Sequence, residues 1–147
     1  MTYDVRVKKL RDNAVIPTYG SAFAAGADLY AAIGEAVTIE PGETKLIPTG
    51  LAFEIPEGYA GFIYARSGLA CKRDLAPANK VGVIDADYRG EVMVALHNHG
   101  KQPQTIEAGE RIAQMVIAPF VTASFILSDE LDDTVRGEGG FGSTGRK

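Results

Sequence analysis

Hydrophobic and polar residues alternate in short runs through most of the chain, and turn residues separate these runs at regular intervals. Pairs such as Pro41-Gly42, Arg89-Gly90 and Ala108-Gly109 lie between segments rich in Val, Ile and Phe. Alternation of this kind, bounded by Gly and Pro, is typical of half-buried β-strands. The pattern predicts strands at residues 5–10, 37–39, 44–47, 51–55, 59–64, 82–84, 91–96, 105–106 and 111–117.

Other segments depart from this alternation. A helical period occurs only at residues 67–72, which is long enough for about two turns. Residues 13–23 are predicted to form a loop, and in residues 24–32 we expect sheet packing to override the helix propensity of alanine. Residues 124–127 are predicted to form a last strand. The whole pattern predicts an all-β fold, a jelly-roll or β-clip type of sandwich with one short helix.

The C-terminal part differs in composition from the rest of the chain. Residues 128–133 form an acidic connector, and the tail after them is rich in glycine and poor in apolar residues. Such a tail cannot bury enough apolar surface to fold by itself. We therefore predict a single β domain over residues 1–127, and a flexible arm over residues 128–147 that orders as a lid over a bound ligand.

Composition and charge narrow the function. The chain has 147 residues and a formal net charge of -4, which argues against non-specific binding to nucleic acid. No apolar run approaches the length of a membrane span, and residues 1–13 lack the apolar core of a signal peptide. The single cysteine, Cys71, fits a reducing compartment. These features predict a cytoplasmic protein that binds neither membranes nor nucleic acid.

The richest chemistry lies in the hairpin of residues 82–91. A buried strand leads into a turn with Asp85, Asp87, Tyr88 and Arg89, and Gly90 leads into the next strand. A structural turn would need only one Asp and one Gly. The turn therefore offers a candidate general base, a ring that can stack on a sugar, and a cation. The alternative is a polar hairpin tip without a catalytic role.

Two further segments carry polar residues beside apolar ones. Arg66 and Ser67 lie where a strand passes into the short helix, which suits a phosphate oxygen. Alternatively, Ser67 is only an N-cap and Arg66 a partner in a surface ion pair. In the strand of residues 111–117, Arg111 and Gln114 have opposite parity, so they are predicted to point to different faces. Gln114 is the better ligand candidate.

The glycine-rich tail contains a formal G-x-G-x-x-G pattern at Gly137, Gly139 and Gly142. A dinucleotide-binding site would need a strand before this pattern and a helix after it, and the tail offers neither. The tail can instead supply a charge, backbone amides and hydroxyls to a polyphosphate, and a ring to a base. The residues with these groups are Arg136, Phe141, Ser143 and Thr144.

Five blocks in sequence order resemble the five motifs of the trimeric dUTPases. They cover residues 25–29, 65–69, 82–90, 109–114 and 136–145. The resemblance implies a β jelly-roll subunit, a homotrimer with shared active sites, and Mg-dependent hydrolysis of dUTP to dUMP and pyrophosphate. Such an enzyme limits uracil incorporation into DNA and supplies dUMP for dTMP synthesis. Cys71 and residues 19–23 depart from the usual family pattern without touching these roles.

The resemblance also implies roles for single residues. Asp85 would activate the attacking water, Tyr88 would lie beneath the deoxyribose, and Asp28 would reach Mg through water. The residues implied to contact the substrate are Arg66, Ser67, Gly68, Asn79, Gly82, Tyr88, Met93, Gln114, Arg136, Phe141, Ser143 and Thr144. Among them, Asn79 and the backbone around Gly82 would recognise uracil.

Two other functions are compatible with this type of chain. A dCTP deaminase-like enzyme would share the fold but would require a catalytic Glu in the base pocket and a different second motif. A non-catalytic trimeric β module would bind nucleotides without turnover. The presence of both Asp85 and the tail favours the hydrolase.

Overall fold

The computed structural model describes residues 3–141 as a β protein with one short helix. The elements in chain order are β1 (Arg6–Lys9), β2 (Thr18–Tyr19), β3 (Ala27–Tyr30), β4 (Val37–Ile39), β5 (Thr44–Pro48), β6 (Leu51–Glu54), β7 (Tyr59–Tyr64), α1 (Ser67–Arg73), β8 (Leu75–Pro77), β9 (Gly82–Ile84), β10 (Met93–Asn98), β11 (Gln104–Ile106) and β12 (Arg111–Pro119). No helix within residues 3–141 is long and apolar enough to cross a membrane.

All strand pairs are antiparallel and form four sheets. The largest sheet has the order β2-β3-β12-β7-β9, and a second has the order β5-β10-β8. Two smaller pairs, β1-β6 and β4-β11, complete the layers. Their inward-facing aliphatic side chains form one core, in which Leu29, Ile39, Leu51, Leu96 and Ile106 are fully buried. The predicted all-β jelly-roll class is confirmed.

The largest sheet contains several of the segments that carry candidate functional residues. β12 lies between β3 and β7, with Gln114 opposite Asp28 on one side and opposite Tyr64 on the other. β9 pairs with β7 at the edge of the sheet, with Gly82 opposite Ile63. The sheet therefore joins three of the five sequence blocks that the resemblance singles out.

Most predicted strands occur within one or two residues of their predicted bounds, and the helix extends one residue further than predicted, to Arg73. The strand predicted at residues 124–127 is wrong, because Phe125, Ile126 and Leu127 are almost fully exposed and have no strand beside them. A strand without a hydrogen-bonding neighbour does not form a sheet. β2 lies inside a segment that was predicted to be a loop, and β8 was not predicted.

The side chain of Asn98 holds the backbone at the end of β10 in place through three hydrogen bonds. Its side chain is fully buried, and its amide donates to the carbonyls of Ile39 at 2.9 Å and Gln102 at 2.8 Å. Its side-chain oxygen accepts a hydrogen bond from the N–H of Gly100 at 2.9 Å. The carboxamide thus satisfies backbone groups on β4 and on the turn after β10.

Replacing Asn98 by Ala should lower the free energy of unfolding by about 2–4 kcal/mol, because three backbone groups, one buried and two partly buried, lose their partner. Urea unfolding followed by circular dichroism, at one protein concentration, measures this loss. The matched control is Thr105→Ala, which removes only an exposed hydroxyl contact with Thr38. That change should stay within about 0.5 kcal/mol of wild type. Equal losses in both variants would contradict the role given to Asn98.

Candidate active site

The hairpin between β9 and β10 forms one wall of a cavity of about 320 Å³. Asp85 and Tyr88 from the turn and Met93 from β10 line this cavity together with apolar side chains of β5 and β9. Within residues 3–141 no side chain hydrogen-bonds the Asp85 carboxylate, which lies exposed at the cavity. The structure thus places a free carboxylate and an aromatic ring in one cavity, which we call the hairpin cavity.

Local contacts fix the shape of this turn. The N–H of Tyr88 donates to the carbonyl of Asp85 at 3.2 Å, and the Tyr88 hydroxyl donates to the carbonyl of Glu91 at 3.0 Å. A Cβ added at Gly90 would lie 2.4 Å from the Tyr88 hydroxyl oxygen, so only glycine allows the ring to fold back over the turn. Glycine is therefore required at position 90 because the Tyr88 ring approaches the backbone closely there.

Asn79 and Gly82 lie next to one another at the start of the same hairpin. A Cβ at Gly82 would lie 3.4 Å from the Asn79 side-chain nitrogen. Neither residue is among those that line the hairpin cavity. Within the described chain β9 has a neighbour on one side only, so alternate backbone N–H and C=O groups along its outer edge are unpaired.

A second cavity, of about 240 Å³, lies where β7 passes into α1, and we call it the polar cavity. Asp28, Arg66, Ser67, Gly68 and Gln114 line it, together with Gly20, Ala24 and Gly26. Sequence blocks that are far apart along the chain thus come together here. Its wall combines a guanidinium, a hydroxyl and backbone N–H groups, the donors that suit phosphate oxygens.

Asp28 links the elements around the polar cavity. Arg66 Nε donates to Asp28 Oδ1 at 2.8 Å, and Arg111 Nη1 donates to Asp28 Oδ2 at 3.2 Å. The Asp28 side chain is only 13% exposed, so the two guanidiniums compensate a largely buried charge. The sequence reasoning missed this role of Arg111.

The predicted separation of Arg111 and Gln114 onto different faces is wrong. Arg111 lies opposite Tyr30 and Gln114 opposite Asp28, and these two β3 residues are on the same face because they are two positions apart. A bulge between Arg111 and Ala113 adds one residue to β12 and reverses the parity. Consecutive burial of Ile112 and Ala113 reflects the bulge, but two adjacent apolar residues do not identify a bulge in a sequence.

Gln114 packs closely over the first sequence block. Its side-chain nitrogen donates to the carbonyl of Ala65 at 2.8 Å, and a Cβ at Gly26 would lie 2.4 Å from its side-chain oxygen. Glycine at position 26 is therefore needed for this contact. The carboxamide connects the residue before Arg66 to the segment before Asp28.

The alternative roles considered for Ser67 and Arg66 are also resolved in part. Arg66 is the residue that precedes the helix, with extended backbone and no side-chain cap, so Ser67 is the first helical residue rather than the N-cap. Arg66 does form an ion pair, but with the largely buried Asp28 rather than at the open surface. The Ser67 hydroxyl remains exposed at the polar cavity.

The two cavities are separate within one chain. Ile84, the residue before Asp85, lies opposite Gly61, and Arg66 follows Gly61 by five positions. At about 3.3 Å per residue, this spacing puts the two backbones on the order of 15 Å apart. Asp85 and the arginine therefore do not face a common cavity in a single chain.

The tail residues lie away from both cavities. Arg136 Nε donates to the carbonyl of Gly139 at 2.7 Å, and Phe141 is fully exposed. Neither residue lines the hairpin cavity or the polar cavity. Ser143 and Thr144 lie outside the described residues, so their predicted contacts remain predictions.

The donor set at Asp28 is compatible with an indirect contact to Mg²⁺. No group of three or more His, Cys, Asp or Glu residues within the described part of the chain is arranged to hold a metal by itself. Each Asp28 oxygen accepts one guanidinium hydrogen bond and keeps a second lone pair, which can accept from a metal-bound water. The residues fit a magnesium ion that is held mainly by substrate phosphates.

Comparisons with known proteins agree with this geometry. The deoxyuridine 5'-triphosphate nucleotidohydrolase of Desulfitobacterium hafniense is 55% identical over 131 residues, which cover 88% of this chain and 87% of the relative. The solved dUTPase of Staphylococcus bacteriophage 80alpha, with bound dUpNHpp, is 33% identical with a TM-score of 0.85, over 99% of this chain and all of that chain.

A mutant dUTPase from phage phi11 of S. aureus, described with a structural Mg(II) ion, is 28% identical with a TM-score of 0.79. The alignment covers 87% of this chain and 98% of that one. The sequence model of the family described as dUTPase matches residues 12–145, which is most of the chain. This protein therefore belongs to the dUTPase family.

Proposed function

We propose that this protein hydrolyses dUTP to dUMP and pyrophosphate, with Asp85 as the general base. The observation that carries the proposal is the hairpin cavity, where the free Asp85 carboxylate and the Tyr88 ring lie beside the unpaired edge of β9. The names and the ligand of the relatives support the same substrate. The reaction requires these groups to recognise a deoxynucleoside and to activate a water molecule.

Recognition of the base relies on the backbone. Uracil has an alternating pattern of hydrogen-bond donors and acceptors, which the outer edge of β9 near Gly82 can match as a neighbouring strand would. Asn79 adds an amide beside this edge. Tyr88 supplies a flat apolar surface to the deoxyribose, which leaves no room for a 2'-hydroxyl. A mispaired polar edge at such a site strongly disfavours cytosine.

The chemical step uses positioning and charge. The Asp85 carboxylate accepts a proton from a water that attacks the α-phosphorus, the bond from that phosphorus to the bridging oxygen breaks, and pyrophosphate leaves. Arg66 and the first helical residues, Ser67 and Gly68, hold phosphate oxygens, and the guanidinium neutralises part of their charge. When bound, Mg²⁺ supplies further neutralisation of the triphosphate, with Asp28 holding it through water.

The site is shared between copies in a homotrimer. The proposal is supported by the separation of Asp85 from the polar cavity within one chain, since the two cavities share no lining residue and a neighbouring copy would supply the other half of each site. Exposed apolar side chains between residues 120 and 135, among them Val121, Phe125 and Leu127, also require a covering surface. The arm of residues 128–147 then closes over the bound nucleotide, with Arg136 on phosphate and Phe141 on the base.

The first test is a product assay with Mg²⁺ and dUTP, dCTP, dTTP or UTP as separate substrates. We expect turnover of dUTP alone, to dUMP and pyrophosphate, because the pocket selects both the base and the sugar. Ion-exchange chromatography resolves the products. Conversion of dCTP to dUTP would instead indicate a deaminase, and no turnover of any nucleotide would indicate a binding module.

Asp85→Asn should bind dUTP but hydrolyse it about 10²- to 10⁴-fold more slowly, because the amide cannot accept the proton from water. Stopped-flow measurement of phosphate release with added pyrophosphatase gives the rate, and calorimetry gives the affinity. Asp87→Asn, a change in the same turn at a residue outside the hairpin cavity, is the matched control. Near-normal turnover by Asp85→Asn would remove this residue from the mechanism.

Mixing two inactive variants tests the shared site. Asp85→Asn damages the hairpin cavity and Arg66→Ala the polar cavity, while Asp28 keeps Arg111 as a partner in the second variant. After the subunits are exchanged at equal amounts, roughly a quarter of the sites should combine two intact halves and regain activity. Each variant mixed with itself is the control. No regain, although mixed oligomers are isolated through two affinity tags, would contradict a site formed between copies.

A further inference from the structure

Arg11, in the loop after β1, contacts the returning side of the catalytic hairpin. Its Nε donates to Glu91 Oε1 at 2.9 Å and its Nη2 donates to Glu91 Oε2 at 3.3 Å. This two-point geometry restricts orientation as well as distance. The Glu91 side chain is 16% exposed, so the pair is better shielded from solvent than an open surface ion pair.

Glu91 connects this cation to the hairpin at several points. Its Oε1 also accepts the N–H of Gly50 at 3.0 Å, and its carbonyl accepts the Tyr88 hydroxyl. The next residue, Val92, is buried and donates its N–H to the carbonyl of Leu51 at 2.8 Å. Glu91 is therefore the point where the turn joins the buried core.

The charge of Glu91 favours this arrangement. The hydrogen bond from Arg11 is the main reason that the pKa of the Glu91 carboxyl lies below its ordinary value, and the Gly50 N–H acts in the same direction. The Glu91 side chain also lines the hairpin cavity with Asp85 and Tyr88. A substitution of Arg11 or Glu91 is therefore expected to affect Asp85 and Tyr88, because Glu91 belongs to the same hairpin.

Apart from the packing of Ala86 against the core, the other contacts of the turn lie within the turn itself. Between Asp85 and Gly90, the described residues make one backbone–backbone hydrogen bond, from the Tyr88 N–H to the Asp85 carbonyl. The Arg89 guanidinium donates to the carbonyls of Ala86 at 2.6 Å and Tyr88 at 3.1 Å, and these contacts also stay within the turn. On the Asp85 side, the turn follows β9, which is an edge strand of the largest sheet. The orientation of Asp85 and Tyr88 thus depends strongly on how the other side is held.

We propose that Arg11 and Glu91 are a pair of positioning residues that holds Asp85 and Tyr88 in the orientation needed for dUTP hydrolysis. The expected effect on catalysis rests on the proposed function. The contact between Arg11 and Glu91 rests on geometry alone. Neither residue needs to touch the substrate. Their effect is to limit the motion of the turn, since small displacements of a catalytic group are costly in rate.

The test combines kinetics with hydrogen exchange in the variants Arg11→Ala, Glu91→Ala, Arg11→Lys and the double alanine variant. We expect either alanine change to lower kcat for dUTP roughly 10- to 100-fold, with a smaller change in KM. The double variant should be no slower than the slower single variant, because the two residues act as one unit. Arg11→Lys should recover part of the rate.

Hydrogen exchange measured by mass spectrometry reports on the turn without any need for turnover. Amides in residues 85–91 should exchange roughly 10-fold faster in Arg11→Ala and Glu91→Ala than in wild type. The matched control is Lys45→Ala, which removes a cation of similar exposure that pairs with Glu43 and lines neither cavity. Its kcat and its exchange in this segment should equal those of wild type.

Two results would overturn the inference. One is a kcat within about twofold of wild type in both alanine variants at a temperature well below their unfolding, which would show a purely stabilising pair. The other is unchanged exchange in residues 85–91. A wild-type protein that leaves dUTP intact would refute the proposed function instead, and the exchange measurement would still decide whether the pair orders the turn.

Discussion

The ion pairs of Asp28 are the interaction on which the polar half of the site depends. One largely buried carboxylate on β3 receives a guanidinium from the residue before α1 and another from the start of β12. A largely buried carboxylate without hydrogen-bond partners would be costly, so these two contacts hold the three elements together. The same contacts orient Arg66 and the start of α1, at Ser67 and Gly68, toward the polar cavity.

The hairpin cavity depends on the backbone of an edge strand rather than on buried ion pairs. β9 is an edge strand, and edge strands expose backbone groups that can pair with a further chain. Here the edge lies beside the cavity of Asp85 and Tyr88, where a nucleobase can take the place of a neighbouring strand. The turn is held by contacts at Gly90 and Glu91 rather than by a long ladder, which keeps the carboxylate exposed and ties its orientation to a few side chains.

The proposed division of the site between copies would also account for the surface of the chain. The hairpin cavity and the polar cavity share no lining residue, and the segment after β12 carries large apolar side chains in full contact with solvent. Apolar surface of this extent is stabilised by covering it. Assembly of identical copies would bury the segment and complete the site in one step, so oligomerisation and catalysis would depend on the same surface.

The sequence alone determined the class of fold, most strand positions, the short helix and some of the residues that line each cavity, because hydrophobic period, turn residues and the five blocks are local signals. The tertiary structure decided the features that depend on contacts between residues far apart in the sequence. The bulge in β12 brought Arg111 and Gln114 to one face, which strand parity had separated. Residues 124–127 have the composition of a strand but no partner strand within residues 3–141. The contact of Arg11 with Glu91 joins positions that are distant in sequence, and no local pattern records such a pairing.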